Sequence, residues 1–292
     1  MTNDVRALHR GEGVYAAYLT PQGRMLTDLK IHHCGEYLLA GVEEGLAAEL
    51  AERFDRLIFT EDVRVSDVSA DVAQIAVIGG EAAAVLAHAF TLEPLQPEQL
   101  TTLPVLGHLE AAGAMIARSD DLALPAFDVF VKGEAYDAAV QRLEEMGAVE
   151  GSAELFEALR IEAGRPVFGL DMTDDTIPLE AGLLDRAIST TKGCYVGQEI
   201  IIRVLHRGGG RVAKRLVMLR FDRDVEAPPA AGAALFHEGR EVGRVTSAAV
   251  SPTQERVIAL GYVHRDRAES GLRVSLAPAD GGHGAEIVGL AG

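Results

Sequence analysis

The sequence Ile75-Ala76-Val77-Ile78-Gly79-Gly80-Glu81-Ala82 passes from an apolar run through glycine and glutamate into alanine. The same order returns at Val129-Phe130-Val131-Lys132-Gly133-Glu134-Ala135. Short apolar runs of this kind are typical of strands, and the amphipathic spacing after each run predicts a helix, the second at about Tyr136–Met146. Two strand–helix units, each with an antiparallel neighbour available, favour an α+β fold in which helices cover sheets.

Further elements are predicted around these two units by the same periodicities. The predicted strands lie at 14–19, 24–31, 36–39, 63–68 and 73–78, and the predicted helices lie at 43–56 and 152–162, the second capped by Ser152.

The pattern changes after Pro228-Pro229, where short strands separated by glycine-containing turns replace the helix signals. Such a series predicts a small β-barrel or sandwich. The predicted strands are Ala234–His237, Arg240–Thr246, Val257–Val263 and Leu272–Leu276. We therefore expect an α+β region of interleaved subdomains over residues 1–212 and a C-terminal β-barrel over residues 213–292.

Composition excludes several classes of protein. The net charge of −17 over 292 residues argues against direct binding to nucleic-acid backbones, which favour basic surfaces. No signal-peptide core and no apolar run of membrane-spanning length is present, so we expect a cytoplasmic protein without a membrane partner. No Gly-x-Gly-x-x-Gly dinucleotide fingerprint occurs either.

Only two cysteines occur, Cys34 and Cys194, which excludes a disulfide scaffold and an all-cysteine metal site within the chain. Cys34 follows His32 and His33, but three adjacent residues on a strand cannot all point at one ion. We predict no metal site.

Cys194 lies between two glycines in Lys192-Gly193-Cys194-Tyr195-Val196-Gly197-Gln198-Glu199. Lys192 favours the thiolate form, as would free N–H groups if the residues after Tyr195 open a helix, whereas Glu199 opposes it. The alternative is a buried cysteine that acts as a small hydrophobic residue.

Two neighbourhoods flank this octapeptide. Before it, the region from Arg160 to Leu183 is rich in proline, glycine and carboxylates. This composition is typical of a well-ordered loop region that forms one wall of a binding site, with Arg160 and Glu162 at its start. The alternative is that Arg160 and Glu162 form an internal ion pair or a helix cap. After it, residues 200–221 contain no acid and six cations, including Arg203 and Arg207, which suits an anionic ligand or an acidic partner; the alternative is a solvated charge run.

The octapeptide resembles the signature of the YgfZ family, the folate-binding relatives of the glycine-cleavage aminomethyltransferase. Other stretches lie in the order of that family: Asn3-Asp4-Val5, Pro21-Gln22-Gly23-Arg24, Arg160-Ile161-Glu162-Ala163-Gly164, Gly169-Leu170-Asp171 and Pro178-Leu179-Glu180-Ala181-Gly182-Leu183. Members of the family usually carry a strand and a helix ahead of the Thr-Asn-Asp stretch, with which this chain begins. We therefore expect a misplaced start or a missing first strand.

The resemblance implies an aminomethyltransferase-like α+β body around a folate pocket, with tetrahydrofolate or a derivative as cofactor. It also implies a role in assembling or maintaining iron–sulfur clusters, so that assembly proteins or client enzymes, including tRNA-modifying radical enzymes, are the expected partners. Cys194 and Lys192 are the candidate reactive residues. The candidate folate-binding residues are Glu162 for the pterin edge, Arg203 and Arg207 for the glutamate tail, Tyr195 for the wall of the slot, Asp28 near the reacting nitrogen, and Arg160, Gln198 and Glu199.

Three hypotheses follow, and the first is a folate-dependent accessory protein for iron–sulfur enzymes. The second is an aminomethyltransferase-type one-carbon transferase. It is disfavoured because Thr27-Asp28 has one carboxylate where those enzymes carry two adjacent acids. The third is a purely structural binding module in which the thiol is incidental. For Tyr195, the alternative to a wall of the slot is a packing tyrosine.

Overall fold

The computed structural model describes residues 1–90, 96–207, 209–278 and 283–292, and the side chain of Arg207 lies outside this description. Thirteen strands are present in the described residues: β1 Gly13–Leu19, β2 Met25–His33, β3 Leu38–Gly41, β4 Val72–Ile78, β5 His108–Ala111, β6 Ala114–Ser119, β7 Ala126–Lys132, β8 Lys214–Phe221, β9 Ala234–His237, β10 Arg240–Ser251, β11 Arg256–His264, β12 Arg273–Ser275 and β13 Gly284–Leu290. The α-helices of the same residues are α1 Ala47–Asp55, α2 Ala82–Ala89, α3 Pro97–Thr101, α4 Tyr136–Glu145, α5 Ala153–Glu162, α6 Leu184–Ala187 and α7 Gln198–Ile202.

Two antiparallel sheets form the body, in the orders β1-β2-β3 and β4-β7-β6-β5. The repeated strand–helix units are β4 with α2 and β7 with α4, and β4 and β7 pair directly, with Ile75 opposite Val129. Helices α2 and α4 pack on this second sheet through Leu86, Leu143 and neighbouring apolar residues. The prediction of an α+β body with helices covering sheets is confirmed.

The strands from β8 onward close into a barrel in the order β10-β11-β8-β13-β12-β9. Its interior is filled by alternate apolar side chains, including Val217, Leu219 and Phe221 of β8. The predicted C-terminal barrel is therefore confirmed, and all four strands predicted there are present, although β10 runs five residues beyond its predicted end.

Some predicted elements differ from the structure. The helix predicted over 43–56 is shorter, and residues 63–68, predicted as a strand, lie in no helix or strand. Most residues from 55 to 70 are exposed, so this segment lacks the sheet neighbour that its alternating pattern would need. In contrast, α5 begins where predicted, and the Ser152 hydroxyl accepts a hydrogen bond from the amide of Leu155 at 3.2 Å.

The body and the barrel are joined by a buried ion pair. Arg160 on α5 donates to Asp171 at 2.7 Å and to the Ser247 hydroxyl on β10 at 3.0 Å. Ser247 in turn donates to Asp171 at 2.6 Å, so both buried charges have partners. No helix of the described residues is long and apolar enough to cross a membrane.

Candidate functional site

Asp28 lies on β2, and the hydroxyl of Tyr15 on the neighbouring strand β1 donates a hydrogen bond to its carboxylate. Burial raises the pKa of Asp28, although the bond from Tyr15 acts in the opposite direction. Burial, reinforced by the charge of Asp28, raises the pKa of Tyr15 well above its ordinary value. The pair is thus a carboxyl group shielded from water and oriented by one hydroxyl.

A second group of charges lies beside this pair. Lys30, on the same strand as Asp28, bonds Asp121 and lies 3.5 Å from Asp128, which also accepts a 2.9 Å bond from Gln74. Burial alone would lower the pKa of Lys30, but the two carboxylates outweigh it and raise that pKa. The lysine therefore remains charged and links the first sheet to the second.

Two arginines from the segment after α5 also contact this group of charges. Arg186 of α6 pairs with Asp120 at 2.7 Å, and its guanidinium lies 4.9 Å from the centre of the Tyr15 ring. Arg165, just after α5, pairs with Asp120 at 3.2 Å and donates to the backbone oxygen of Gly292 at 2.7 Å. We call the whole set the central polar cluster, which comprises Tyr15, Asp28, Lys30, Asp120, Asp121, Asp128, Arg165 and Arg186.

Lys192 connects the cysteine loop to the N-terminal residues of the chain. Its Nζ atom donates to the backbone oxygens of Met1 at 2.9 Å and Asn3 at 2.7 Å, and it lies 5.7 Å from the centre of the Tyr195 ring. Burial lowers the pKa of Lys192. Cys194 itself is exposed, so the alternative of a buried structural cysteine is wrong.

The loop is anchored at its other end by Gly197, whose φ is +85°. A Cβ atom at this position would lie 2.6 Å from the backbone oxygen of Thr20, in the turn between β1 and β2. Tyr195 is half-buried against the core that contains Tyr15, and burial raises its pKa. This packing matches the alternative given for Tyr195, and a role as the wall of a cofactor slot stays a prediction.

The next predicted residues lie on helix α7 or directly after it. Glu199 and Arg203 are both exposed and pair with each other at 2.6 Å, four residues apart. The Arg203 guanidinium is thus partly neutralised by its own helix. Gln198 is half-buried, and the side chain of Arg207 lies outside the described residues, so its predicted contact with a glutamate tail stays a prediction.

Arg160 and Glu162 are not part of the central polar cluster. Glu162, at the end of α5, accepts hydrogen bonds from the Ser251 hydroxyl and from the Thr253 hydroxyl at 2.9 Å, both in the barrel. Arg160 forms an internal ion pair with Asp171, which is the alternative given for it above. For Glu162, the proposed contact with a pterin edge stays a prediction and competes with these barrel donors.

Sequence reasoning singled out Asp28 in the central polar cluster and missed its other members. Asp120 and Asp121 directly follow β6, so adjacent carboxylates at a strand end were an available signal. Glu180 was also overlooked: this buried carboxyl lies near the barrel, and burial raises its pKa. Two cavities, of about 260 and 190 Å³, contain none of the predicted site residues.

The described residues contain no group of three or more histidine, cysteine, aspartate or glutamate side chains that could hold a metal ion. The central polar cluster instead combines a shielded carboxyl, a hydroxyl oriented by it, and fixed charges of both signs. Such an arrangement can bind a polar small molecule and hold or transfer a proton.

Comparisons with known proteins agree on one family. Residues 1–192 match the family model described as the GCVT N-terminal domain, and residues 214–291 match the glycine cleavage T-protein C-terminal barrel domain. An aminomethyltransferase of Saccharopolyspora erythraea is 33% identical over 92% of this chain and 73% of its own length. An aminomethyltransferase of Synechocystis is 30% identical over 98% of this chain and 76% of its own length.

The fold is also that of a solved relative. The crystal structure of glycine cleavage system aminomethyltransferase T from Bartonella henselae superposes on this chain with a TM-score of 0.82 and 24% sequence identity. The match covers 97% of this chain and 76% of the Bartonella chain. The aminomethyltransferase-like α+β body with a C-terminal barrel is therefore confirmed. By its two matching domain models and its 30–33% identical relatives, this chain belongs to the glycine cleavage T-protein (GcvT) family.

Proposed function

We propose that this protein binds tetrahydrofolate, or a derivative of it, at the central polar cluster. The observation that carries the proposal is the hydrogen bond between buried Tyr15 and half-buried Asp28, at the place where the two sheets and the α5–α6 region meet. Membership of the GcvT family supports a folate ligand for this position. The buried carboxyl and hydroxyl fit a ligand whose ring nitrogens need both donors and acceptors.

The role best supported is one-carbon transfer of the aminomethyltransferase type, because the curated relatives carry that name. Tetrahydrofolate supplies a nitrogen that accepts the one-carbon unit. Asp28 would hold or transfer the proton at that nitrogen, since burial raises its pKa towards the range in which general acids and bases work. Tyr15 would keep the carboxyl oriented. This ranking reverses the order of the two hypotheses drawn from the sequence.

A second role is favoured by Cys194. Its thiol is exposed on a loop that is held by Lys192 and Gly197, and aminomethyl transfer does not use a thiol. An accessory function for iron–sulfur enzymes, as in the YgfZ family that the octapeptide resembles, would use it to carry sulfur or to ligate a transient cluster. Both roles require the same folate site.

Calorimetry with tetrahydrofolate tests the folate site. We expect the wild type to bind and Asp28→Asn to bind about tenfold or more weakly, because a charged hydrogen-bonding group is lost from a buried site. Glu286→Gln serves as the matched carboxylate control, since its side chain pairs with Arg220 in the barrel. Absence of binding by the folded wild type would overturn the proposal.

The two roles are separated by a purified assay and a cellular one. Transfer of an aminomethyl group to tetrahydrofolate that is lost in Asp28→Asn and retained in Cys194→Ala establishes the transferase. A loss of iron–sulfur enzyme activity in cells carrying Cys194→Ala, with tetrahydrofolate affinity unchanged, establishes the accessory role. If Cys194→Ala has no effect in cells, the accessory role is excluded.

A further inference from the structure

The cavity of about 190 Å³ lies at the start of the barrel and is lined by Arg211, Val212, Arg215, Arg265 and Asp266. Three guanidinium groups thus surround one small cavity in a chain whose net charge is −17. None of these residues belongs to the central polar cluster or to the cysteine loop.

Two distant segments of sequence build this cavity. Strands β8 and β11 pair there, with Arg215 opposite Val263 and Lys214 opposite His264. The amide of Arg265 donates to the backbone oxygen of Ala213 at 3.2 Å, which fixes the turn after β11 against the segment before β8. Arg215 and Arg265 are therefore held at the paired ends of β8 and β11, so little conformational entropy of their backbone is lost when a ligand binds.

Val212 anchors the inner wall of the cavity. It is buried, and it belongs to the same hydrophobic core as Tyr15 and Leu19. The cavity wall is thus continuous with the packing of the body, and the site lies at the junction between the body and the barrel, where ligand sites are common.

The positive charge at the cavity is largely uncompensated. Among the described residues, Arg211 has no ion pair or hydrogen bond, and Arg215 donates only to the backbone oxygen of Gly210 at 3.4 Å. Asp266 lies 3.4 Å from Arg265 and 3.5 Å from His264, so the only carboxylate of the lining is already shared. Two guanidinium groups are left to bind an anion from solution.

We propose that this cavity is a binding site for an oligoanion, a ligand that carries neighbouring carboxylates or phosphates. Guanidinium groups bind both kinds of oxyanion through paired hydrogen bonds. Pockets for whole drug-sized ligands occupy about 300–1,000 Å³, so this smaller cavity fits the charged end of a ligand.

Two sources share this chemistry. One is the oligoglutamyl tail of a folate, an assignment that rests on the proposed folate function. The other is a free polyphosphate, which needs no folate. The run of cations along residues 200–221 pointed to Arg203 and Arg207 for a tail. Arg203, however, is paired with Glu199, whereas Arg211 and Arg215 have no carboxylate partner among the described residues.

The test compares four ligands by calorimetry at low ionic strength: tripolyphosphate, sulfate, monoglutamyl tetrahydrofolate and pentaglutamyl tetrahydrofolate. The variant is Arg211→Ala/Arg215→Ala, and the control is Arg223→Ala, an exposed arginine beyond the opposite end of β8. We expect the double variant to bind the preferred oligoanion about tenfold more weakly, with an unchanged melting temperature, and the control to bind like the wild type.

The outcomes identify the source. If pentaglutamyl tetrahydrofolate binds more tightly than the monoglutamyl form, and only the double variant loses this gain, the ligand is the folate tail. If tripolyphosphate binds and the double variant loses that binding, the ligand is a polyphosphate. If the wild type binds neither oligoanion better than sulfate, or the control loses as much affinity as the double variant, the proposal is wrong. Failure of the proposed folate function is distinct, because monoglutamyl tetrahydrofolate would then not bind at all.

Discussion

The hydroxyl of Tyr15 donates a hydrogen bond to the half-buried carboxylate of Asp28 across the β1–β2 ladder. This bond lowers the pKa of Asp28, against the larger effect of burial, which raises it. Tyr15 also lies under the guanidinium of Arg186, so one ring connects the carboxyl to the charges contributed by α6. The state of the carboxyl thus depends on a residue that does not itself need to react.

Tyr15→Phe should therefore raise the pKa of Asp28 further, because the donor is lost while the burial remains. Urea unfolding should show that the free energy of unfolding falls by about 1–2 kcal/mol, the usual effect of leaving an acceptor inside the protein without its donor. The pH profile of tetrahydrofolate binding should move to higher pH. Tyr18→Phe, on the same strand, is the control, and equal shifts in both variants would contradict this role of Tyr15.

The β1–β2 hairpin could be predicted because apolar and polar side chains alternate on both sides of a glycine turn. Strand β8 was missed because its arginines drew attention to charge, although its apolar residues fill the barrel. Segment 63–68 shows the opposite error, since alternation predicts a strand only where a neighbouring strand is present. Pairing partners are set by tertiary structure, which a local pattern does not contain.

The same limit applies to the site. Asp28 was identified from the family resemblance, as the one carboxylate of the Thr27-Asp28 pair. Asp121 and Arg186, which belong to the same cluster, are far away in the sequence. Arg160 and Glu162 were assigned to a site wall because carboxylates and prolines follow them. In the structure, α5 docks on β10, and both side chains contact the barrel. The direction in which a helix docks is not encoded in its own residues.

Two buried imidazoles make the stability of the body sensitive to acid. His32 and His108 meet edge to face at 5.3 Å, and the Nε2 atom of His32 and the Nδ1 atom of His108 have no hydrogen-bond partner among the described residues. Burial, reinforced by His108, lowers the pKa of His32 from 6.5 to about 4. Protons therefore bind the unfolded chain before they bind the folded one as the pH falls.

The free energy of unfolding should thus be highest above pH 6.5 and should decline as the pH falls towards 4. His32 should account for a decrease of about 2 kcal/mol between pH 7.5 and pH 5. Urea unfolding at the two pH values measures this, and His32→Gln should reduce the difference. His9→Gln is the control, because His9 is exposed. An identical pH dependence in His32→Gln and the wild type would show that His32 is not responsible.

The buried ion pair between α5 and the barrel gives a stability prediction. Asp171→Asn leaves the guanidinium of Arg160, which is 1% exposed, with Glu157 as its remaining carboxylate partner. We expect a loss of about 1.5–3 kcal/mol in the free energy of unfolding, because hydrogen bonds between charged groups are weakened in a buried site. Asp175→Asn removes a carboxylate from the exposed pair with Arg24 and should cost less than about 1 kcal/mol. Equal losses in the two variants would contradict the assignment.

The two cysteines should differ sharply in their reaction with a thiol reagent. Cys194 is exposed, whereas Cys34 is 7% exposed, and burial raises the pKa of the Cys34 thiol. Treatment of the folded protein with a chromogenic disulfide reagent should therefore modify one thiol rapidly. Addition of denaturant should expose the second thiol, which then also reacts. Cys194→Ala should remove the rapid phase, and Cys34→Ala should leave it intact. If the rapid phase persists in Cys194→Ala, the loop does not present its thiol to solvent, and the accessory role loses the observation on which it depends.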